Sequence, residues 1–256
     1  RSTLFPYTTL FRSVKFPTAE QAAALAAIAS GRGPFLLHGA TGSGKTEVYM
    51  QAAQAALAQE PGAQVLVLAP EINLTPQLHA RFAARFAPWL GEQAVVFMHS
   101  GLTPAQRLAA WLAAHTGRAR IVLGTRMAAL ASLPGLRLIV VDEEHDSSYK
   151  QQEGARYSAR DLAVYRASLL AEAGCKVVLG SATPSLESWH NSRPATAGDA
   201  GGRYQRLSMP ARVGAGALPL VRRVDMKRQP RGTLIAAPLL EAIGQRINLT
   251  DRKSVV

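Results

Sequence analysis

Short runs of valine, isoleucine and leucine alternate along the chain with longer, alanine-rich segments in which apolar residues recur every three or four positions. The short runs have the length and β-branched content of strands, and the longer segments have the periodicity of helices. The predicted strands are residues 34–38, 64–69, 94–98, 119–124, 136–142 and 175–180. The predicted helices are residues 19–30, 45–59, 74–86, 104–115, 158–173 and 184–190. Apolar strands that alternate with helices are typical of a parallel sheet covered on both faces, so we predict a doubly wound α/β fold.

The regular alternation defines a main domain over residues 14–192, and the flanking segments differ from it. Residues 193–233 are rich in glycine, alanine, arginine and proline, which predicts a linker or arm. Residues 234–250 regain the apolar spacing of a helix. Residues 1–13 and 251–256 are what a short-read sequencing adapter encodes in its two orientations. We therefore expect both ends to be adapter-derived artefacts and exclude them from the fold.

Composition narrows the class of protein. The chain has 256 residues, of which 48% are hydrophobic, enough for one sizeable core. Lys and Arg number 29 against 17 Asp and Glu, a net charge of +12 that favours a polyanionic partner, although GC-rich coding also produces arginine. We find no long apolar run and no export signal, and therefore expect a cytoplasmic protein without a membrane segment. The single cysteine, Cys175, excludes a disulfide within the chain and is expected to lie in the core.

A glycine-rich stretch between the first predicted strand and the second predicted helix matches the phosphate-binding loop G-x-x-x-x-G-K-[S/T]. The stretch consists of Gly39, Ala40, Thr41, Gly42, Ser43, Gly44, Lys45 and Thr46. Glycines let the backbone wrap a triphosphate, so that N–H groups and the helix N-terminus face the anion. Lys45 is placed to reach the β- and γ-phosphates and Thr46 to bind Mg²⁺, which predicts ATP and Mg²⁺ as cofactors.

Two further polar clusters follow apolar strands. Asp142, Glu143 and His145 come directly after the strand at 136–142. There Asp142 can hold Mg²⁺, Glu143 can polarise the attacking water, and His145 can sense the nucleotide state. Ser181 and Thr183 follow the strand at 175–180 and are suited to link these acids to a bound nucleic acid strand. Because the carboxyl ends of parallel strands share one edge of a sheet, we predict a single site there.

In their order along the chain, these motifs resemble those of helicase superfamily 2 and, within it, the primosomal replication-restart helicases. Gln21 resembles the family's adenine-reading glutamine, and residues 70–77, with Thr75, resemble a DNA-contacting motif, as do Gly124, Thr125 and Arg126. The segment 146–161 is similar to an aromatic-rich loop that couples DNA binding to ATP hydrolysis in this family. In that loop Tyr149 and Tyr157 offer faces for base stacking, and Lys150, Arg156 and Arg160 offer phosphate contacts.

The resemblance implies that residues 14–192 form a RecA-like P-loop NTPase lobe, the first of two motor lobes of an ATP-dependent 3′–5′ DNA helicase that restarts replication at stalled forks. It also implies a monomer whose partners are forked and single-stranded DNA, single-stranded DNA-binding protein and other primosome proteins. Zn²⁺ is expected only in a further part of such a protein. Because the second lobe supplies the transition-state arginine, we expect slow or no hydrolysis by this segment alone. Two alternatives stay open: a non-catalytic nucleotide- and DNA-binding lobe, and a restriction-type DNA translocase subunit.

Overall fold

The computed structural model describes residues 16–71, 76–213, 223–230 and 232–251. Thr75 and the expected adapter segments, except Asp251, lie outside the described residues. The chain divides into two compact units, residues 1–214 and residues 215–256.

The first unit contains a seven-stranded parallel sheet. In chain order, its strands are β1 (Phe35–Gly39), β2 (Gln64–Leu68), β3 (Val95–Met98), β4 (Ile121–Gly124), β5 (Leu136–Asp142), β6 (Lys176–Ser181) and β7 (Gln205–Met209). Across the sheet they lie in the order β3-β4-β2-β5-β6-β1-β7, and neighbouring strands pair in parallel. This arrangement confirms the predicted α/β fold.

Helices cover both faces of the sheet. They are α1 (Ala19–Ser30), α2 (Lys45–Gln59), α3 (Pro76–Leu90), α4 (Pro104–His115), α5 (Ala159–Leu169) and α6 (Leu186–Asn191). Side chains of α1, α2 and α3 form a core with Phe35 and Leu37 of β1, whereas α4 and α5 share a second core with Leu36. Because both faces of each central strand are buried, these strands are apolar at consecutive positions rather than at alternate ones.

Helix α1 and helix α4 begin where their sequences place a capping box. Thr18 precedes α1 and accepts a hydrogen bond from the Gln21 N–H, while the Gln21 side chain accepts one from the Thr18 N–H. Thr103 and Gln106 make the same pair at the start of α4. Each box satisfies two of the N–H groups that a helix leaves unpaired at its N-terminus, which explains why both predicted starts are confirmed.

Strand β7 corrects the sequence prediction. Residues 193–233 were expected to be a linker, but Gln205–Met209 pairs in parallel with β1 along its whole length. Leu207 and Met209 are buried in the sheet, whereas Gln205 and Ser208 are exposed. This edge strand has only two core residues, and it lies within a segment rich in glycine and arginine. Its alternation of apolar and polar residues is therefore too short to be recognised in the sequence. The sheet therefore extends past residue 192.

Among its described residues, the second unit contains a short 3-10 turn (Met226–Arg228) and the α-helix α7 (Ala237–Asp251), which lies close to the predicted helix at 234–250. Within the described part of the chain, every helix is too short or too polar to cross a lipid bilayer.

Cys175 lies in the core, as predicted, and is expected to react slowly with thiol reagents. Only 4% of its surface is exposed, and burial raises the pKa of its thiol to about 11. The thiolate is the reactive form, so at pH 8 the native protein should react with Ellman's reagent about a hundredfold more slowly than the urea-unfolded chain. Equal rates in the two states would show that the thiol is accessible.

Candidate functional site

The phosphate-binding loop connects the carboxyl end of β1 to the first turn of α2, as the sequence predicts. Gly42 and Gly44 both have φ of +84°, a backbone conformation that side chains with a Cβ adopt only under strain. At Gly39, a Cβ atom would lie 2.6 Å from the Ser43 hydroxyl oxygen. The loop thus has the tight, glycine-dependent curvature that lets backbone N–H groups surround an anion.

Two polar groups inside this loop favour a phosphate ligand. Lys45 is 8% exposed, and its ammonium donates to the Gly39 carbonyl at 3.0 Å. The Ser43 hydroxyl is buried and has no hydrogen-bond partner within the described ranges. Buried polar groups are costly unless they are paired, so an unpaired hydroxyl beside a buried ammonium fits an anionic ligand. The residues of the loop therefore fit the phosphates of a nucleotide.

Gln21 lies against the loop, but its amide is engaged with protein groups. Its Nε2 donates to the Ser43 carbonyl at 3.2 Å, while its Oε1 accepts the capping bond from Thr18. The side chain is buried, and its amide holds the loop backbone at Ser43. Reading of adenine by Gln21 stays a prediction, and it requires this amide to exchange partners.

Asp142, Glu143 and His145, here called the acidic cluster, lie at the carboxyl end of β5, two strands from β1 in the sheet. Glu143 has φ of +45°, the one positive value for a non-glycine residue among those described. Its two carboxylate oxygens lie 3.9 Å from the Lys45 ammonium and 3.6 Å from the His145 Nδ1, respectively. Unfavourable backbone conformations persist where the surrounding structure imposes them, and they concentrate at functional sites. Here the turn directs Glu143 toward the phosphate-binding loop.

Asp142 is held by two tyrosines that the sequence analysis did not connect with it. The Tyr49 hydroxyl donates to the Asp142 Oδ1 at 2.9 Å, and the Tyr149 hydroxyl donates to the Asp142 carbonyl at 2.6 Å. Burial raises the pKa of the Asp142 carboxyl, and the hydrogen bond from Tyr49 opposes that shift. Thr46, the other predicted Mg²⁺ ligand, follows Lys45 in the first turn of α2.

The residues at the end of β6 contact the acidic cluster directly. The His145 Nδ1 lies 2.8 Å from the Ser181 hydroxyl, and its Nε2 lies 3.5 Å from the Thr183 hydroxyl. The Thr183 N–H also donates to the Ser181 hydroxyl at 2.9 Å. The two motifs that the sequence separates by about forty residues therefore meet through one imidazole.

Glu144 is a further residue of the site, and the sequence analysis gave it no role. Its carboxylate is buried and accepts from the Ser185 N–H at 2.7 Å, the Ser188 hydroxyl at 2.8 Å and the Arg160 guanidinium at 3.3 Å. It connects the acidic cluster to the start of α6 and the start of α5. A buried carboxylate needs such partners. The sequence offered one signal for this contact. Glu144 follows β5, and Ser185 and Ser188, three residues apart, follow the neighbouring strand β6.

The aromatic-rich segment is a loop whose base is closed by a bridge between Lys150 and Ser158. The Arg126 guanidinium donates to the carbonyls of Ser148 and Lys150 at 3.0 and 2.8 Å and so supports the loop. Lys150 and Arg156 are exposed, which leaves both side chains accessible to a polyanion.

Two residues of this loop region are placed differently from the prediction. Tyr149 is 2% exposed, so its ring has no face for base stacking. The Arg160 side chain is 14% exposed and is paired with Glu144 and Asp161, so it is not free to contact DNA phosphates. Both predictions are wrong because the acidic cluster offers these side chains buried partners. Tyr157 is half-buried against the core.

Gly124 ends β4 and Thr125 follows it, at the same edge of the sheet. At Gly124 a Cβ would lie 2.2 Å from the Ala128 Cβ and 2.7 Å from the Met98 carbonyl, so the chain allows only glycine there. This tight packing positions the short helical turn that begins at Arg126. The predicted site residues of β1, β4, β5 and β6 thus lie along one edge, as expected for parallel strands.

The chain is similar in sequence to a known protein family and to several curated proteins. The profile of the family described as DEAD/DEAH box helicase matches residues 18–191. The replication restart protein PriA of Bacillus subtilis is 42% identical over 216 residues, which cover 83% of this chain and 25% of that protein. The PriA protein of Haemophilus influenzae is 44% identical over 212 residues, 83% of this chain and 27% of the relative. The chain therefore spans about a quarter of the length of these relatives.

Solved helicase structures share the fold. The helicase domain of Pyrococcus furiosus Hef is 26% identical with a TM-score of 0.50, and the match covers 67% of this chain and 34% of that one. Mycobacterium smegmatis helicase Lhr, solved with single-stranded DNA and AMP-PNP, has a TM-score of 0.57 at 22% identity, over 96% of this chain and 32% of its own. The parallel sheet, the helices that cover it and the likeness to solved helicase domains identify the fold as a RecA-like lobe. The family profile and the PriA relatives together show that this chain belongs to the DEAD/DEAH box helicase family and is a segment of the PriA type.

Proposed function

We propose that this chain is the ATP-binding lobe of an ATP-dependent DNA helicase that moves in the 3′–5′ direction and acts in replication restart. The observation that carries the nucleotide-hydrolysis part of this proposal is the approach of Glu143 to Lys45, at 3.9 Å, across the phosphate-binding loop. In this proposal the carboxylate would lie beside the ammonium that contacts the γ-phosphate, where it could orient the attacking water. The helicase and replication-restart parts are supported by the family profile and the PriA relatives.

Each residue of the site has a definite task in this proposal. Lys45 stabilises the negative charge on the β- and γ-phosphates, and the loop N–H groups hold the phosphate oxygens. Thr46 and Asp142 would hold Mg²⁺, which would neutralise phosphate charge. Glu143 accepts a proton from the attacking water. A second lobe supplies the cation that stabilises the transition state, so the chain alone binds ATP but turns it over slowly or not at all.

The exposed cations of the loop are proposed to contact DNA. Lys150 and Arg156 lie at the same edge of the sheet as the nucleotide site, so an occupied DNA site lies close to the acidic cluster. The linkage runs through His145, which contacts Ser181 and Thr183 at the end of β6. Forked and single-stranded DNA, single-stranded DNA-binding protein and other primosome proteins are the proposed partners of a monomeric, cytoplasmic protein.

Strand displacement by the full-length protein tests the function. With ATP and Mg²⁺, the protein should unwind a duplex that carries a 3′ single-stranded tail and leave one with a 5′ tail intact. DNA should also stimulate its ATP hydrolysis. Stimulation without unwinding on either substrate would instead support a translocase. Absence of ATP binding would overturn the assignment.

Replacement of Arg156 with alanine should weaken DNA binding without altering the nucleotide site. An exposed arginine that contacts one phosphate contributes about one unit to the slope of log affinity against log salt concentration. We therefore expect Arg156→Ala to lower affinity for single-stranded DNA and to reduce that slope by about one. Fluorescence anisotropy at several salt concentrations measures both quantities.

The matched control for this prediction is Arg118→Ala. Arg118 is also exposed, but it precedes β4 and therefore lies at the amino edge of the sheet. The Arg118→Ala variant loses the same charge far from the loop, so its DNA affinity and salt slope should equal those of the wild type. Equal effects of the two variants would show that net charge, not the loop, governs DNA binding.

A further inference from the structure

Tyr49 occupies a position in α2 that the nucleotide site does not by itself explain. It follows Lys45 by four residues, which places both side chains on the same face of the helix. Tyr49 is 2% exposed, yet its hydroxyl donates to the Asp142 Oδ1 at 2.9 Å. Helix α2 thus contacts the site twice, once at the phosphate-binding loop and once at the carboxylate that ends β5.

The end of β6 leaves space for this hydroxyl. Asp142 is paired with Gly180 in the sheet, and a Cβ at Gly180 would lie 1.6 Å from the Tyr49 hydroxyl oxygen and 2.7 Å from its Cζ. A side chain at position 180 would therefore displace the phenol. The tyrosine, the glycine and the aspartate form one contact, built from three elements that are distant in sequence.

A carboxylate at the end of a strand can rotate about its side-chain bonds, and each orientation presents different lone pairs. A hydrogen bond from a buried, immobile phenol fixes one orientation, while the carboxylate keeps lone pairs for a metal ion or its water. Outer groups of this kind orient metal ligands and contribute strongly to metal affinity. Tyr49 is well suited to this task because its ring is packed in the core and cannot swing away.

We propose that Tyr49 is a positioning residue that orients Asp142 toward Mg²⁺, and that Gly180 is glycine because it must admit the Tyr49 hydroxyl. This inference rests on the proposed function, in which Asp142 holds the metal. It assigns to α2 a second role beyond phosphate binding: it aligns the metal ligand on the neighbouring strand.

Tyr49→Phe tests this proposal, since it removes one oxygen atom and keeps the ring. The first measurement is Mn²⁺ binding by the full-length protein with ADP, followed by electron paramagnetic resonance, which does not depend on turnover. We expect the Mn²⁺ dissociation constant to rise about tenfold or more. ADP binding in the absence of metal should not change. In ATPase assays, the Mg²⁺ concentration for half-maximal rate should rise in parallel.

The matched control is Tyr165→Phe, because Tyr165 on α5 is 60% exposed and loses the same atom away from the site. It should bind Mn²⁺ like the wild type. Gly180→Ala provides a second variant, since the added methyl group should displace the Tyr49 hydroxyl and weaken Mn²⁺ binding in the same way.

The outcomes separate the two proposals. If the wild type binds Mn²⁺ with ADP and Tyr49→Phe binds it with unchanged affinity, the positioning role is overturned while the nucleotide site stands. If the wild type itself binds neither ADP nor Mn²⁺, the proposed function fails and the role of Tyr49 fails with it. A defect in Tyr49→Phe that equals that of Tyr165→Phe would also contradict the proposal.

Discussion

Replacement of Lys45 with alanine is expected to reduce DNA-stimulated ATP hydrolysis by the full-length protein by a factor of about a hundred to a thousand. The Lys45 ammonium is buried and lies between the Gly39 carbonyl and the Glu143 carboxylate. In such a poorly hydrated site, loss of a cation aimed at the developing phosphate charge is not compensated by water. Steady-state hydrolysis measured with saturating DNA gives the size of the effect.

The matched control for Lys45→Ala is Lys176→Ala. Lys176 begins β6 at the opposite edge of the sheet, where its ammonium donates to the Ile28 and Ala29 carbonyls at the end of α1. The Lys176→Ala variant loses the same charge, but its rate of ATP hydrolysis should stay close to that of the wild type. If Lys45→Ala were to retain wild-type turnover, the loop at residues 39–46 would not be the nucleotide site.

Glu143→Gln is expected to abolish most hydrolysis while ATP binding is retained. Glutamine has nearly the same shape as glutamate but cannot accept the proton of the attacking water, and loss of a general base costs about a hundredfold to ten-thousandfold in rate. Because glutamine also has a Cβ, the backbone strain at φ of +45° is unchanged by the substitution. Single-turnover hydrolysis and equilibrium binding of a fluorescent ATP analogue separate the two effects.

ATP affinity of this variant is expected to equal or exceed that of the wild type. The Glu143 carboxylate attracts the Lys45 ammonium, and it also repels the γ-phosphate. Its neutralisation removes both effects, and each removal favours the bound nucleotide. Glu92→Gln, an exposed acid before β3 at the amino edge of the sheet, is the control and should hydrolyse ATP normally. Weak ATP binding by Glu143→Gln would give Glu143 a structural role instead.

The elements of the sheet were predictable to within a few residues wherever burial on both faces produced a continuous apolar run. Strand β5 (Leu136–Asp142) was predicted with its observed bounds, and α2 (Lys45–Gln59) likewise. Strand β7 was not predicted, because an edge strand covers less of the core and its two buried residues, Leu207 and Met209, do not form a run. Its place beside β1 is decided by pairing over a large sequence separation.

The segment at residues 146–161 shows what residue types alone leave undecided. Tyrosine and arginine suit nucleic acid binding and also suit buried hydrogen bonding, and the sequence does not say which surface each side chain faces. In the folded chain, Tyr149 and Arg160 turn toward Asp142 and Glu144, while Arg156 stays exposed. Spacing along a loop has no fixed period from which these directions could be inferred.

The sequence by itself determined the α/β class, the phosphate-binding loop and the acidic cluster, because strand runs, helix periodicity and glycine-dependent turns are local properties of the chain. Only the tertiary structure decided which side chains share the site. It brought Tyr49 to Asp142 across 93 residues and connected Glu144 to Ser185 across 41. These contacts depend on the order of strands in the sheet and on side-chain directions at its edge. Both are set by packing of the whole domain and not by any neighbouring stretch of sequence.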